Sequence, residues 1–369
     1  MEQWKQYNIG EICDTISETY KGNASDVVLI NTSDVLEGKC LNHTFVANKN
    51  LRGQFKKQFK KNDILYSEIR PANKRYAFID FESTDYIAST KLMVIRSNDK
   101  VLPKYLYYVL QSKEMVEVLQ MLAESRSGTF PQITFSELAI QTILLPEIRK
   151  QSKIVDFLES IDSKIALNRR INDNLEQQAQ ALFKSWFVEN ASYSGVSISE
   201  YFLPNRGKNL LVSDAKGGKT PVVAGGLTPS AFHNVANTKA PVITISASGA
   251  NAGFVNLWGI PVWAADSSYI DSTIVSNIYF WYNLLKYNQK NIYESQTGSA
   301  QPHIYPKHIG NLLIPDLDMR KVECYESIVT SMYLQINEIQ QETKFLSDLR
   351  DTLLPKLMSG ELKINDLNC

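Results

Sequence analysis

The sequence predicts an α+β protein in which two similar globular domains, each mixed α/β and rich in strands, are separated by two long helices that form a coiled coil. Two stretches carry the same apolar repeat, each follows a strand-rich segment, and both globular segments end in related turn loops. The predicted parts are a first domain (1–149), a central helix (150–190), a second domain (191–317), a distal helix (318–362) and a tail (363–369).

Both long helices are predicted from apolar residues spaced alternately four and three apart. This spacing keeps one narrow stripe facing a partner helix, as in a coiled coil. The stripe of the central helix recurs in the distal helix when 171 is added to each residue number, which indicates a duplication. At about 1.5 Å per residue, each helix would be about 60 Å long. The predicted seam residues are Ile154, Leu158, Ile161, Ile165, Leu175, Leu182, Val329, Met332, Ile336, Ile339, Leu346 and Leu353.

Two asparagines, Asn168 and Asn172, also fall on the stripe of the central helix. Buried polar residues can fix the register of a coiled coil, and a solvent-facing position is an equally good interpretation. An alternative for both stretches is a pair of amphipathic helices buried in one globular core. The matched register at one constant offset favours the duplicated spacer.

Composition limits the classes of protein that fit. The 369 residues allow two or three domains, and 39 Lys and Arg balance 39 Asp and Glu, so the net charge does not indicate a polyanion partner. The four cysteines are scattered without a CxxC pair, which suits a reducing compartment and not a zinc ribbon. No secretory leader and no run of 18 apolar residues is found, so a cytoplasmic location is expected.

The first domain alternates short β-like runs, at 27–30, 64–66 and 92–95, with turn clusters, and a helix is expected over 104–123. Between Lys49 and Arg75 lie nine Lys or Arg and two acidic residues, a local charge of +7. Interleaved aromatic residues make this cluster typical of a surface that binds a phosphate backbone. A lone charge run is more often a solvated face; its place in a strand-rich domain beside a rigid spacer favours nucleic acid.

The second domain repeats this layout with a different sequence. Its β-like runs are at 242–245 and 273–275, and an aromatic helix is expected over 277–289. The turn loop TGSAQPHI (297–304) corresponds to SGTFPQI (127–133) in the first domain, so the repeat period is about 170 residues, far longer than solenoid repeats.

Catalytic motifs are missing from the sequence. The run KGGKT (216–220) lacks the first glycine of a phosphate-binding loop, and no GxSxG or GxGxxG motif is found. The histidines are too isolated to predict a metal site, and the tetrapeptide typical of amino-methyltransferases does not occur. The loops at 68–76 and 246–254 instead carry Arg, Lys, Asn and Ser, side chains that can bind base edges. Ordinary polar loops are the alternative.

Four segments resemble the specificity subunit of type I restriction–modification systems. They are NDILYSEIRP (62–71), in which Asn62 replaces the family's usual glycine, SGTFPQI (127–133), LFKSWF (182–187) and LLPKLMSGEL (353–362). The resemblance implies two target-recognition domains held apart by an antiparallel pair of helices. Each domain would read one half of a gapped DNA target, and the helices would set the gap.

The resemblance also implies which molecules act with this chain. The partners would be double-stranded DNA, two methyltransferase subunits and two motor–nuclease subunits, with no membrane. The chain itself would be non-catalytic and hold no metal or other cofactor, since S-adenosylmethionine, ATP and Mg²⁺ would belong to the partners.

Loop position suggests which residues contact DNA. In the first domain the residues expected to hold phosphate are Arg52, Lys56, Lys57 and Lys60. Those expected nearer the bases are Arg70, Asn73, Lys74, Arg75, Thr129 and Gln132. In the second domain the candidates are Lys216, Lys219, Ser246, Ser248, Asn251, Gln301 and His303.

Two other functions compete with this interpretation. A coiled-coil scaffold presenting two protein-binding modules would explain the helices but not the basic cluster. A self-sufficient methyltransferase or nuclease is disfavoured by the missing tetrapeptide and by a length that leaves no spare domain.

Overall fold

The computed structural model describes residues 4–51, 53–126, 128–189, 191–298 and 301–363. The chain divides into two compact units. Unit one comprises Met1–Ile165 with Phe345–Cys369, and unit two comprises Ala166–Lys344. Each unit therefore combines one globular domain with one part of each long helix.

Unit one is built mainly from short strands. They are β1 (Lys5–Asn8), β2 (Cys13–Ile16), β3 (Asp26–Ile30), β4 (Val35–Leu36), β5 (Lys39–Cys40), β6 (Phe45–Ala47), β7 (Phe55–Gln58), β8 (Ile64–Ser67), β9 (Tyr76–Phe78), β10 (Tyr86–Ser89), β11 (Leu92–Ser97) and β12 (Thr142–Leu145). Its helices are α1 (Pro103–Gln111), α2 (Lys113–Arg126), α3 (Phe135–Ala139) and the start of α4 (Ile148–Phe187). Two four-stranded sheets, in the orders β2-β11-β8-β9 and β6-β3-β10-β7, form its centre.

Unit two has fewer strands in a similar arrangement. They are β13 (Asn205–Arg206), β14 (Thr220–Val223), β15 (Ala231–His233), β16 (Val242–Ser246), β17 (Val255–Trp258), β18 (Trp263–Ala264) and β19 (Ser267–Asp271). Its helices are α5 (Ile278–Tyr287), α6 (Gln289–Glu294), α7 (Pro306–Gly310) and the first part of α8 (Met319–Ser359). The four-stranded sheet has the order β13-β19-β16-β17, and a smaller sheet has the order β15-β14-β18.

The long helices α4 and α8 run antiparallel. Within unit two, residues farther along α4 bond to residues earlier in α8, and unit one contributes the pair of Asp162 with Arg350. In order along α4, the pairs are Asp162 with Arg350 (2.8 Å), Asn168 with Glu342 (2.7 Å), the carbonyl of Ala179 with the Tyr325 hydroxyl (2.9 Å), and the carbonyl of Trp186 with Lys321 (2.5 Å). The predicted fold class is thus confirmed.

The predicted seam residues all lie on faces of α4 and α8 that are wholly or partly removed from solvent. Those that are buried are Ile154, Leu158, Ile161, Ile165, Val329 and Ile336. Those that are half-buried are Leu175, Leu182, Met332, Ile339, Leu346 and Leu353. The apolar stripe is wider than a two-helix seam because each helix also supports a globular domain. For example, Phe183 is buried beside the half-buried Leu182. The Phe183 ring lies 5.7 Å from the Phe280 ring on α5.

Asn168 is one of the few polar side chains buried on α4. Its amide nitrogen donates to Glu342 at 2.7 Å, which offsets part of the cost of removing the amide from water. It therefore lies on the interior side of the helix, and its role in fixing the register stays a prediction.

Each globular domain is attached to the long helices by one aromatic-rich helix. In unit one the Tyr108 hydroxyl on α1 donates to Asp162 at 2.7 Å. In unit two the Tyr282 hydroxyl on α5 donates to Glu176 at 2.5 Å. Burial and the nearby carboxylates raise the pKa of both phenols, so both stay protonated and act as donors.

Two predicted elements are wrong. The run 273–275 is a turn and not a strand. The carboxylate of the buried Asp271 accepts a hydrogen bond from the Thr273 amide, and the Asp271 carbonyl accepts one from the Ile274 amide. The helix expected over 104–123 is broken at Ser112, whose hydroxyl accepts from the Met115 amide and starts α2.

The core shared by α4 and α8 in unit one provides a stability test. Leu158 has no exposed surface and belongs to the core that also contains Leu354 and Leu357. Leu158→Ala should lower the free energy of unfolding by about 2–5 kcal/mol, since it removes buried methyl groups and leaves a cavity. The measurement is urea unfolding of the purified chain. Leu167→Ala on the same helix is the control, because Leu167 is half exposed and its loss should cost far less.

Candidate nucleic-acid interface

The main sheets of the two units share one topology, and their central strand pairs share one register. Strand β8 pairs with β11 so that Ser67 faces Leu92, and β16 pairs with β19 so that Ser246 faces Ser267. Ser67 and Ser246 are both buried and both end their strands. A loop of the same length follows each of them. The two loops, which were expected at comparable places in the two domains, therefore correspond residue by residue.

The strand-end loops, residues 68–75 in unit one and 247–254 in unit two, each contain eight residues. Each is closed by one backbone bond, from the Ser67 amide to Arg75 (2.8 Å) and from the Ser246 amide to Phe254 (3.0 Å). Inside each loop one further turn recurs, from the amide of Asn73 to Arg70 (2.8 Å) and of Ala252 to Gly249 (3.0 Å). The same backbone thus carries two different sets of side chains.

Two positions in each strand-end loop have left-handed backbone. In unit two these are Gly249 (φ 80°) and Gly253 (φ 86°), where glycine adopts the conformation without strain. In unit one the same positions hold Arg70 (φ 46°) and Lys74 (φ 52°). A residue with a Cβ atom pays about 1–2 kcal/mol there, so unit one keeps two cations at positions that disfavour them.

A second segment is tied to each strand-end loop by two backbone bonds. In unit one Arg70 donates to the carbonyl of Pro131 (3.1 Å), and Ile133 donates to Glu68 (2.9 Å). The corresponding bonds in unit two join Gly249 to Pro302 (3.1 Å) and Ile304 to Ala247 (2.9 Å).

These paired segments bring several predicted residues together. Gln132 faces Ile69 in unit one, and His303 faces Ser248 in unit two. Arg70 is exposed, and its guanidinium reaches the carbonyl of Thr129 at 3.4 Å. Each unit therefore presents one site, formed by its strand-end loop and the segment tied to it.

Sequence reasoning missed one position in each site. Lys91, just before β11, accepts the Glu68 amide at its carbonyl (3.0 Å), and Asp266, just before β19, accepts the Ala247 amide in the same way (3.2 Å). Lys91 could have been noticed as the cation directly before the run 92–95. Asp266 gave no such signal, because the polar β19 sequence SSYID does not have the apolar pattern of a buried strand.

Other predicted residues of unit one divide into exposed and structural groups. Those on the surface are Lys56, Lys60, Asn73, Lys74 and Thr129.

Two cations of unit one support the backbone. Lys57 is half-buried and donates to the Leu92 carbonyl at 2.8 Å, and burial lowers the pKa of its ammonium. Arg75 donates to the carbonyl of Ser33 at 3.1 Å. Arg52 lies outside the described residues.

In unit two the predicted residues fall in different places. Ser246 is buried, whereas Ser248 and Asn251 are half-buried in the strand-end loop and Gln301 is exposed in the segment tied to it. The His303 ring stacks on Tyr305 with centroids 6.0 Å apart.

The two predicted lysines of unit two lie elsewhere in the domain. Lys216 and Lys219 are exposed on the segment that leads into β14, and the Lys216 amide bonds to His233 at 3.1 Å. The glycine-rich run between them therefore enters a strand and not the helix that a phosphate-binding loop requires.

Metal centres and membrane spans are both missing from the described part of the chain. Within it, no group of three or more His, Cys, Asp or Glu side chains is arranged to hold a metal ion. No helix among the same residues is long and apolar enough to cross a bilayer.

Comparisons with known proteins agree on one family. Residues 1–177 match the model of the type I restriction modification DNA specificity domain. The chain is similar to the specificity subunit of the type I restriction enzyme HindI from Haemophilus influenzae, with 47% identity over 232 residues. That match covers 60% of this chain and 49% of the relative, so it spans about half the relative's length.

More distant relatives cover more of the chain. The MjaIX specificity subunit from Methanocaldococcus jannaschii is 25% identical over 323 residues, covering 73% of this chain and 71% of that one. Among solved structures, the S subunit of a type I restriction–modification system from M. genitalium covers 97% of this chain and 96% of its own, with 22% identity and a TM-score of 0.56. This likeness supports the fold.

The left-handed arginine gives a testable difference in stability. Arg70→Gly and Arg70→Ala both remove the side chain, but only glycine relieves the backbone strain, so the Gly variant should be more stable than the Ala variant by about 1 kcal/mol. Thermal unfolding of the two variants measures this difference.

The matched control uses the neighbouring Asn73, whose φ is not positive. There the order should reverse, with the Gly variant less stable than the Ala variant. The same order at both positions would contradict the strain at Arg70.

Proposed function

We propose that this chain is the specificity subunit that recognises the DNA target of a type I restriction–modification complex, a proposal supported by the family model matched over residues 1–177 and by the similarity to the HindI specificity subunit. Each unit reads one half of a bipartite, gapped sequence. The coiled coil of α4 and α8 fixes the distance between the two half-sites, as the geometry of a dimer does for paired recognition domains.

The observation that supports this proposal best is the repeated construction of the two sites. One backbone framework carries Arg70, Lys74 and Gln132 in unit one and Gly249, Gly253 and His303 in unit two. A shared framework with different side chains is what two readers of different base sequences require, since side-chain donors and acceptors carry the base code.

The exposed cations of unit one fit a phosphate-binding role. Lys56 is exposed on strand β7, Lys60 is exposed just after that strand, and Lys74 is exposed in the strand-end loop. Surface lysines that replace counterions supply most of the non-specific affinity for DNA. Lys57 and Arg75 contribute mainly by holding the backbone, because carbonyl oxygens already accept from them.

The chemistry is assigned to partner subunits. Two methyltransferase subunits would supply S-adenosylmethionine and adenine methylation, and two motor–nuclease subunits would supply ATP- and Mg²⁺-dependent cleavage. Base flipping by the methyltransferase would leave this chain to recognise DNA without a reaction pocket of its own. The complex would act in the cytoplasm, and this chain would be non-catalytic.

A coiled-coil scaffold for two protein partners is the competing function. It accounts for α4 and α8 but gives no reason for the exposed lysines Lys56, Lys60 and Lys74 of the basic cluster. Steep weakening of DNA binding with rising salt favours the proposed function, since only a polyanion partner releases many counterions.

The decisive experiment is co-expression of this chain with its methyltransferase subunit, followed by mapping of every methylated adenine in the host genome. We expect one two-part motif with a fixed gap. Exchange of residues 191–317 for the second domain of a relative should change one half of that motif and leave the other half and the gap unchanged. An intact complex that adds no methylation would favour the scaffold.

The phosphate contacts give a separate prediction. In the assembled complex, Lys56→Gln and Lys60→Gln should each weaken binding to all sequences alike and reduce the slope of log K against log salt by about 1. Fluorescence anisotropy with labelled duplex DNA over a range of salt measures the slope. Lys113→Gln is the control, because Lys113 is an exposed cation of the same unit that is paired with Glu117 within helix α2. An unchanged slope in all three variants would exclude Lys56 and Lys60 as phosphate contacts.

A further inference from the structure

Lys91 and Asp266 place opposite charges at the same position of the two sites. Lys91 directly precedes β11, which pairs with β8, and Asp266 directly precedes β19, which pairs with β16. The carbonyl of each accepts a hydrogen bond from the first amide of the strand-end loop. The correspondence is therefore set by backbone hydrogen bonds and by the strand register, and it does not depend on sequence similarity.

Each of these two side chains touches a residue of the paired segments. The Lys91 ammonium donates to the amide oxygen of Gln132 at 2.9 Å and lies 3.7 Å from Glu68. The Ser248 hydroxyl donates to the Asp266 carboxylate, and the guanidinium of Arg206 lies 2.9 Å from that carboxylate. In both sites the charge is held by polar neighbours at the edge of the loop framework.

Stability alone does not account for these ion pairs. The Lys91 side chain is 49% exposed, and Asp266 and Arg206 are 35% and 44% exposed. Pairs at this level of exposure typically contribute about 0–1 kcal/mol, because water and salt screen them. Their charged groups are also accessible to a ligand.

A carboxylate in a DNA-binding site repels the phosphate backbone, so its presence there has to be explained by another interaction. One chemical use of such a group is to accept a hydrogen bond from an exocyclic base amino group, above all the N4 amino group of cytosine. Arg206 balances the charge of Asp266 at close range, which lowers the repulsion.

An ammonium group in the equivalent place suits a base edge that presents hydrogen-bond acceptors. Lysine binds the O6 and N7 acceptors of guanine in the major groove. Gln132 accepts from Lys91 with its oxygen, so its amide nitrogen remains oriented as a second donor beside the ammonium.

We infer that Lys91 and Asp266 are matched specificity-determining residues. Lys91 selects a guanine acceptor edge in the half-site read by unit one, and Asp266 selects a cytosine amino donor in the half-site read by unit two. This inference rests on the proposed function and adds two residues and a base chemistry to it.

The test uses Lys91→Gln and Asp266→Asn in the complex co-expressed with the methyltransferase subunit, with adenine methylation mapped across the genome. Exchange of residues 191–317 first assigns each half of the motif to a unit. Lys91→Gln should then reduce discrimination by about 10- to 100-fold at one guanine of the unit-one half. Asp266→Asn should do so at one cytosine of the unit-two half. Each variant should leave the other half and the gap unchanged.

Matched controls neutralise surface charges of the same units that form no ion pair with Lys91 or Asp266. Lys113→Gln in unit one and Glu294→Gln in unit two each break an exposed ion pair within one helix and should leave the motif unaltered. If either site variant fails to assemble, Lys91→Arg and Ser248→Ala replace it. The first keeps the charge but changes its reach, and the second removes the hydroxyl that orients Asp266.

The outcomes separate the inference from the function on which it rests. A parent complex without a two-part motif would overturn the proposed function. A clear parent motif whose two halves survive the site variants unchanged would overturn the inference alone. Relaxation of both halves by one variant would also overturn it, because it would indicate a general loss of affinity.

Discussion

The structure of unit one depends on how the carboxylate of Asp162 is shared. It accepts from Arg350 of α8 at 2.8 Å and from Tyr108 of α1 at 2.7 Å, so three helices meet at one half-buried anion. Hydrogen bonds to a charged group are stronger than neutral ones, and such a group is costly to leave unpaired. The position of the globular domain on α4 is therefore coupled to the pairing of α4 with α8.

In unit two, different residues hold the globular domain on the long helices. Glu326 of α8 is half-buried and accepts from the amides of Tyr279 and Phe280, which start helix α5. Tyr282, one turn later, donates to Glu176 of α4. In both units a carboxylate on a long helix receives donors from the first helix after the sheet, which holds the sheet and its loop site in a defined orientation on the coiled coil.

Much of this architecture is predictable from periodicity, and the failures have physical causes. The four-three spacing found both long helices because a narrow apolar stripe sustained over many turns is typical of helices that pair along their length. It missed Phe183 and Leu354 as buried residues, because the globular domains cover a second face that only the tertiary fold reveals. The break at Ser112 was missed because local capping by one hydroxyl overrode a continuous apolar pattern.

The candidate site was predictable in its location but not in its detail. Loops rich in Arg, Asn and Ser were recognisable, and the chain indeed joins Arg70 to the segment carrying Gln132. Lys91 and Asp266 were not recognisable, because their equivalence is defined by hydrogen bonds between segments distant in sequence. Lys57 had the right charge for a phosphate contact, yet its environment turns it toward a carbonyl oxygen. Residue type indicates what a side chain can do, and only the fold determines which neighbours it meets.

The left-handed positions have a consequence for how each loop would order on the proposed DNA target. Gly249 and Gly253 give the loop of unit two many backbone states to lose, whereas Arg70 and Lys74 restrict the loop of unit one before any contact forms. Immobilising the glycine loop therefore carries the larger entropic penalty, and immobilising the arginine–lysine loop the smaller one. A single chain thus holds one pre-organised loop and one adaptable loop on the same framework.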